Sequence, residues 1–464
     1  ISILSNADSI EVLDIINDES GSIEFLGAAN SGSYTSSSID PAFDSVFIQN
    51  YSDKDLIVNA IQSIRTASGI QTNPTIITIE NIGNSALAGD PDLILKGEIS
   101  NPHDRTIIYS AGDITAEGNQ SIVTKDLNLE AGGSIGSALQ RVAAKLTRGY
   151  SPVSSAVSNS DIELSIEAQN SVFFDLSTAA LDNDSSEIDI ANLKAASGEV
   201  DLKLGATTNA LGTAIASQYE FSQIIAGTDL KIDAGTAEVD IEADTDLLST
   251  GSLDVVTGGS IEITEQGGGV QLKRAVSSNS SVTLVLSETT QADENLVLVE
   301  GAQVEAAQNI TLIVGDDIQS AKTASIVAGG NVFIQGDVSS RDSAGTDINL
   351  QGSIQSQNTF IFGNDDDDTI TVGNVSGDVN IQGFDGDDAI DIAVPNGTPV
   401  AGQPELQLVG GDGTDSVTIT GSAMSNVFDI DEQQVDVVGR LKANFMSVEM
   451  MSVVGGDGDD TFNV

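Results

Sequence analysis

The sequence predicts an all-β protein folded as a parallel β-helix. Three observations predict it: a short apolar–polar alternation that recurs along the chain, Gly/Asn/Asp-rich turns between the repeats, and a near absence of large rings. The alternation reads SGEVDLKL (197–204), AGTDLKID (226–233), GGSIEIT (258–264), NSSVTLVL (279–286), AQNITLIV (307–314), AGGNVFIQ (328–335) and SGDVNIQG (376–383). Apolar residues two apart lie on one face of a strand, so each run is a strand with one buried face. A string of β-sandwiches would share this pattern. Against it, the turns lack two-residue Asn-Gly hairpin signals. Aromatic residues are only 4% with no Trp, whereas sandwiches usually carry aromatic core anchors. A β-helix has a narrow core of stacked aliphatic rows and needs few rings. Helical spacing is nearly absent; the best helix candidate is Ser137–Leu146.

Charge narrows the function. Lys and Arg number 17 against 70 Asp and Glu, a net charge of −53. Phosphate recognition needs a basic footprint, so nucleic-acid binding is excluded, and docking on an anionic membrane is disfavoured. The lack of Cys removes disulfides, thiol nucleophiles and Cys-type metal sites. The single His, His103, follows Asn101-Pro102 and reads as a solvated turn residue. No apolar run approaches the ~20 residues of a membrane helix, so no transmembrane segment is predicted. The chain starts without Met or a signal peptide, and Thr461–Val464 reads as a strand with no turn after it. The first feature predicts a mature product or a piece of a longer chain, and the second favours the piece. Residues 1–354 read as β-helix and 355–464 as its continuation with acidic turns.

Those turns are the most specific local signal. Gly455-Gly456-Asp457-Gly458-Asp459-Asp460-Thr461-Phe462-Asn463 and Gly410-Gly411-Asp412-Gly413-Thr414-Asp415-Ser416-Val417-Thr418 fit G-G-x-G-x-D-x-U-x throughout. Gly383-Phe384-Asp385-Gly386-Asp387-Asp388-Ala389-Ile390-Asp391 lacks only the second Gly. Gly363-Asn364-Asp365-Asp366-Asp367-Asp368-Thr369-Ile370-Thr371 keeps the first Gly, the Asp and the apolar residue. This is the pattern of calcium-binding nonapeptide β-helix repeats. Ca²⁺ takes six to eight oxygens, which tight Gly turns supply as carbonyls and the sixth-position Asp as a carboxylate. The candidate ligands are Asp365, Asp366, Asp368, Asp385, Asp387, Asp388, Asp412, Asp415, Asp457, Asp459 and Asp460. The first Gly residues are 20, 27 and 45 positions apart, not nine. That spacing predicts one acidic turn per coil, with the last gap spanning about two coils, rather than a compact tandem roll.

The stretches LILKGEISNPHDRTIIYSAGDITAEGNQSIVTKDLNLEAGGSIGSALQ (93–140) and VAGGNVFIQGDV (327–338) resemble coils of filamentous-haemagglutinin-like giant bacterial surface proteins. SNVFDIDEQQVDVVGRLKANFMSVEMMSVVGGDGDDTFNV (425–464) is similar to repeats of very large secreted proteins with RTX-type calcium-binding nonapeptide turns. The resemblance implies a right-handed β-helix, export to a bacterial cell surface, and a role as fibre, stalk or adhesin.

The expected function is therefore a non-catalytic extracellular rod, stiffened by Ca²⁺ at stacked Asp/Gly turns. Its expected partners are copies of itself or the rest of a longer chain, and extracellular glycans or cell surfaces. The alternative is a polysaccharide-cleaving β-helix enzyme, with Lys273-Arg274 or Arg341 as candidate base. Sugar subsites generally want exposed aromatic platforms, and all five Tyr (34, 51, 109, 150 and 219) lie in the first half, away from the acidic turns. Asp182-Asn183-Asp184 with Glu187 reads as a polar corner. Met446, Met450 and Met451 read as core filler.

Overall fold

The computed structural model describes residues 2–5, 10–12, 15–17, 23–27, 45–50, 55–63, 76–82, 90–118, 120–147, 163–179, 186–208, 213–247, 251–289, 294–338, 345–396 and 403–464. Among them there is no helix, and the strands pair mostly in parallel. The chain divides into two compact units, Ile1–Ala243 and Asp244–Val464. The compositional division at 354/355 falls inside the strand Asp347–Phe362.

In the first unit, parallel pairing sets buried aliphatics side by side. One row runs Ile48, Ile79, Ile108, Leu129, Ile166, Leu193, Ile224. A second runs Val142, Phe174, Leu202, Ile232. A separate four-stranded parallel sheet pairs Ile10–Val12, Leu56–Val58, Leu93–Leu95 and Ile114–Ala116 in that order. All the described side chains in these rows are buried.

The second unit repeats the arrangement. Ile261, Val282, Ile310, Val332, Thr359, Val379, Leu406 and Ala443 form one row. Val270, Leu296, Ile318, Ile348, Ile370, Ile390, Val417 and Met451 form another. Most of this unit's strands, such as Val282–Leu286 and Ser325–Ala328, alternate buried and outward residues, as their period-2 sequence requires. Parallel strands cannot be joined by tight hairpins, so each partner lies one full excursion of the chain away. The antiparallel exceptions among the described residues are Thr207–Thr208 with Ala214–Ile215, and the meander Val427–Asp431, Gln434–Val437, Leu441–Met446.

Several expectations change. Val142–Thr147 is a strand, not the second half of a helix. Val142, Ala144 and Leu146 are its buried positions, and pairing with Phe174–Ala179 overrides the weak helical propensity. Not all strands are short: Asp347–Phe362 has 16 residues and Thr369–Asp385 has 17. Their mutual pairing continues through bends, with register shifts between Leu350 and Ser353 and between Gln355 and Asn358. His103 lies in the strand Glu98–Ser110, within the register shift between Asn101 and Arg105, rather than in a turn. Met446, Met450 and Met451 are 65%, 53% and 40% exposed, so they are not core. Met450–Val454 pairs with Ser416–Thr420 on one side, and no described strand covers its other edge.

The rows make core substitutions costly. Ile390→Ala is expected to cost about 2–5 kcal/mol by urea denaturation, because Ile370 and Val417 cannot close the gap. Its outward neighbour Asp391→Ala is expected to stay within about 0.5 kcal/mol.

Candidate functional site

The sixth-position Asp residues of the first three acidic turns build one ladder. Asp368 Oδ1 accepts the Thr346 N–H at 2.8 Å. Asp388 Oδ1 accepts the Asp368 N–H at 2.9 Å, and Asp415 Oδ1 accepts the Asp388 N–H at 2.9 Å. Glu449 Oε2 closes the run by accepting the Asp415 N–H at 2.9 Å. Asp368, Asp388 and Asp415 are all 2% exposed or less. The fifth positions form a second ladder of opposite sense. Asp367 Oδ1 accepts the Asp387 N–H, and Asp387 Oδ1 accepts the Thr414 N–H, both at 2.8 Å. Each turn is thus tied to the turn before it and the turn after it.

The glycines follow from the same geometry. A Cβ on Gly363, Gly383 or Gly410 would overlap the Oδ2 of Asp368, Asp388 or Asp415 respectively. A Cβ on Gly455 would crowd Asp460 Oδ2. At the second position, Gly411 and Gly456 have φ of 149° and 86°, a region that favours Gly. Phe384 sits there with φ 88°, and the missing Gly of the third motif is a strained residue. At the fourth position Gly386, Gly413 and Gly458 have φ of 130°, 150° and 106°.

The fourth motif does not join this ladder. Asp460 Oδ1 accepts the Asn426 N–H at 2.8 Å and the Asn426 Nδ2–H at 2.9 Å. Gly421-Ser422-Ala423-Met424-Ser425-Asn426 is therefore the turn beneath it, with Gly first and Asn sixth. The 45-residue gap marks a change of corner, since 421–426 follows the strand Ser416–Thr420 whereas Asp415 precedes it. Asn426 Nδ2 also donates to Gly455 O at 3.2 Å.

The remaining candidates are outward. Asp365, Asp385, Asp387, Asp412, Asp457 and Asp459 are exposed, and Asp366 and Asp460 are half-buried. Among the described residues, no three carboxylates of the acidic turns converge; the one such group is Glu288, Glu294 and Asp316. Tyr34, Tyr51, Tyr150, Arg341 and Asp182–Asp184 lie outside the described residues. Arg274, a candidate base, instead forms a two-pronged ion pair with Asp254 at 2.7 and 2.9 Å.

The first unit has a ladder that the sequence reading missed. Asp55 Oδ1 accepts the Asp92 N–H, Asp92 Oδ1 the Asp113 N–H, and Asp113 Oδ1 the Ser134 N–H, at 3.0, 2.8 and 2.6 Å. Ser171 Oγ then accepts the Glu199 N–H at 3.2 Å. The available signal was a short polar residue directly before an apolar-x-apolar run, as in Asp92-Leu93 and Asp113-Ile114.

Burial governs the charge of these rungs. It pushes the Asp368 carboxyl up to about 7; amide bonds from Asn364 and Thr346 oppose this, and Asp388 and Asp337 add to it. It pushes Asp388 up to about 6, with Asp415, Asp367 and Asp387 adding to the rise. Asp388 Oδ2 and Asp415 Oδ2 are buried and accept no hydrogen bond. The space a Cβ on Gly383 would need is bounded by the Asp388 carboxylate and by Gly410 O.

No family model, curated protein or solved structure matches the chain. The functional reading therefore stands on this geometry.

Both raised carboxyls bind protons more tightly folded than unfolded, where an Asp titrates near 3.9. Their contribution is full below that value and is lost as pH rises through about 6 for Asp388 and about 7 for Asp368. In chelator, the melting temperature is expected to rise as pH is lowered from 8 to 5, and Asp368→Asn is expected to flatten that rise. Gly383→Ala is expected to destabilise by more than about 1 kcal/mol in denaturant titrations, since its Cβ displaces a buried carboxylate.

Proposed function

We propose that each unit is a right-handed parallel β-helix, and that the chain is a non-catalytic extracellular structural segment of a large bacterial surface fibre or adhesin. The observation that supports this reading is the parallel register of strand after strand, each paired with one that lies an excursion of the chain later. Row after row of buried aliphatics is matched by corner ladders that spend polar side chains on neighbouring backbone. Such stacking is built by nearest-neighbour contacts, the economy of a repeat protein. The bacterial-surface part of the proposal rests on the resemblance of stretches 93–140 and 327–338 to coils of filamentous-haemagglutinin-like proteins. The bidentate engagement of Arg274 by Asp254 weighs against a polysaccharide-cleaving role for that residue. The net charge of −53 suits a segment that stays soluble outside the cell.

Calcium at the acidic turns is part of the proposal, centred on Asp388 and Asp415. The residues fit it in one respect: both present a buried carboxylate oxygen that accepts no hydrogen bond. The Gly421 turn supplies the comparison. Its sixth residue, Asn426, is neutral and donates to Gly455 O, satisfying the same kind of corner without charge. An Asp in that position needs a proton or a cation to face a carbonyl. Hard oxygen donors of this kind suit Ca²⁺. Bound there, it would neutralise the rung and hold adjacent turns together.

Immunogold labelling of the producing cells is expected to decorate extracellular fibres, and the purified chain is expected to release no oligosaccharides from acidic or neutral polysaccharides. Label confined to the cytoplasm, or sustained depolymerisation, would overturn the reading. For the cation, Asp388→Asn at pH 8 in chelator is expected to be at least as stable as the parent, because a neutral amide replaces a buried carboxylate whose Oδ2 accepts no hydrogen bond. Calcium is then expected to raise the parent's melting temperature by several degrees and the variant's by less.

A further inference from the structure

A second acidic group, outside the glycine motifs, has the makings of a separate cation site. Glu288 follows the strand Val282–Leu286, Glu294 precedes Leu296–Ala306, and Asp316 precedes Ile318–Ser320. The parallel pairing of Leu296 with Ile318 places Glu294 and Asp316 on successive turns of the chain. One carboxylate oxygen from each of the three residues lies within 4.8 Å of the other two.

The cluster is built into the protein rather than laid on its surface. Glu294 is 1% exposed and Glu288 7%. Asp316 Oδ2 accepts the Glu294 N–H at 2.7 Å, and the Asp316 N–H returns to Glu294 O at 3.3 Å. The Thr289 hydroxyl donates to Glu294 Oε1. Gly315 leaves the space: a Cβ there would lie 2.9 Å from Glu288 Oε2 and 2.9 Å from Glu294 Cβ. Independent of the clustering, Glu294 Oε2 is buried and accepts no hydrogen bond. A buried carboxylate oxygen without a donor carries a full desolvation penalty, which a cation removes.

We propose that Glu288, Glu294 and Asp316 bind one divalent cation, with Ca²⁺ the preferred ion. The donors are all oxygen, which excludes the nitrogen- and sulfur-rich sets that select zinc or copper. Oxygens within 4.8 Å of one another are close enough to share one cation, and an all-oxygen, carboxylate-rich set on irregular backbone suits the flexible coordination of Ca²⁺, whereas Mg²⁺ demands near-ideal octahedral geometry and retains several waters. The site ties the connection that carries Glu288 and Glu294 to the next excursion of the chain, which carries Asp316, and it is independent of the fibre reading and of the Asp388 and Asp415 turns.

The test is calorimetric titration of the full chain with CaCl₂ at pH 7.5 after chelator dialysis. It compares the parent, Glu294→Gln, Asp316→Asn, and the Asp388→Asn/Asp415→Asn pair. Glu294→Gln keeps the shape of the side chain and an oxygen for Thr289. Glu294→Gln and Asp316→Asn are each expected to remove one calcium equivalent, or weaken it at least tenfold, while the turn pair leaves that equivalent intact. Should Glu294→Gln fail to fold, Asp316→Asn and native mass spectrometry of the parent with CaCl₂ carry the decision. Unchanged stoichiometry and affinity in both single variants would overturn the proposal, as would a parent chain that binds no calcium. Loss confined to the turn pair would overturn this site and leave the acidic-turn reading standing.

Discussion

Parallel pairing of a strand with one that lies an excursion of the chain later imposes one demand on everything else: the connections must be matched as faithfully as the strands. Strand amides find carbonyls in the ladder, but corner amides do not do so automatically, and buried donors left unpaired are costly. The chain meets the demand with side-chain oxygens. Asp368, Asp388, Asp415 and Glu449 each accept an amide from the preceding turn of the chain. The first unit solves the same problem with Asp55, Asp92 and Asp113, then with serine hydroxyls. Acidic composition is therefore in part a backbone requirement, and a charge-assisted acceptor makes the stronger bond.

That arrangement explains what the sequence disclosed. The period-2 runs announced strands with one buried face, and buried rows such as Ile370, Ile390 and Val417 match them residue for residue. The Gly/Asp motif was visible too, because its spacing from first Gly to sixth Asp is rigid. The partner of the carboxylate was not visible. A sequence written around an amide looks like one written around a metal, since both want an oxygen at the end of a tight turn. Which turns share a corner was equally hidden. Asp460 stacks on Asn426, and Asn426 belongs to a turn with neither the second nor the fourth Gly. Corner identity depends on intervening chain length, which no local pattern records. The Val142–Thr147 strand was lost for a related reason, because Ala, Lys and Leu favour helix locally and only long-range pairing reverses the choice.

The acceptors bring a second constraint. Burial of one carboxylate per turn, with neighbouring carboxylates adding to it, raises the carboxyls of Asp368 and Asp388 to about 7 and about 6. The corner at Asn426 avoids this with a neutral amide that both accepts and donates. Two solutions thus coexist in one unit: a neutral rung that is complete by itself, and an acidic rung with capacity to spare. Rungs of the second kind make the stability of the stack sensitive to its surroundings, whereas rungs of the first kind do not.

The spacing of the ladder bears on how such a chain changes over time. Rungs at Asp368, Asp388, Asp415 and Glu449 are separated by 20, 27 and 34 residues, yet they make the same bond. Part of the added length lies between strands, as between Ala389–Ala393 and Glu405–Asp412, and part forms the extra strands Val427–Asp431 and Gln434–Val437; the register of Ile390 with Val417 is intact. Growth by insertion is thereby decoupled from the lattice that holds the molecule together. Duplicating a whole turn preserves every rung, extending a loop preserves every rung, and only a shift of one residue within a strand destroys them. Length can therefore be added between rungs without moving the rungs themselves.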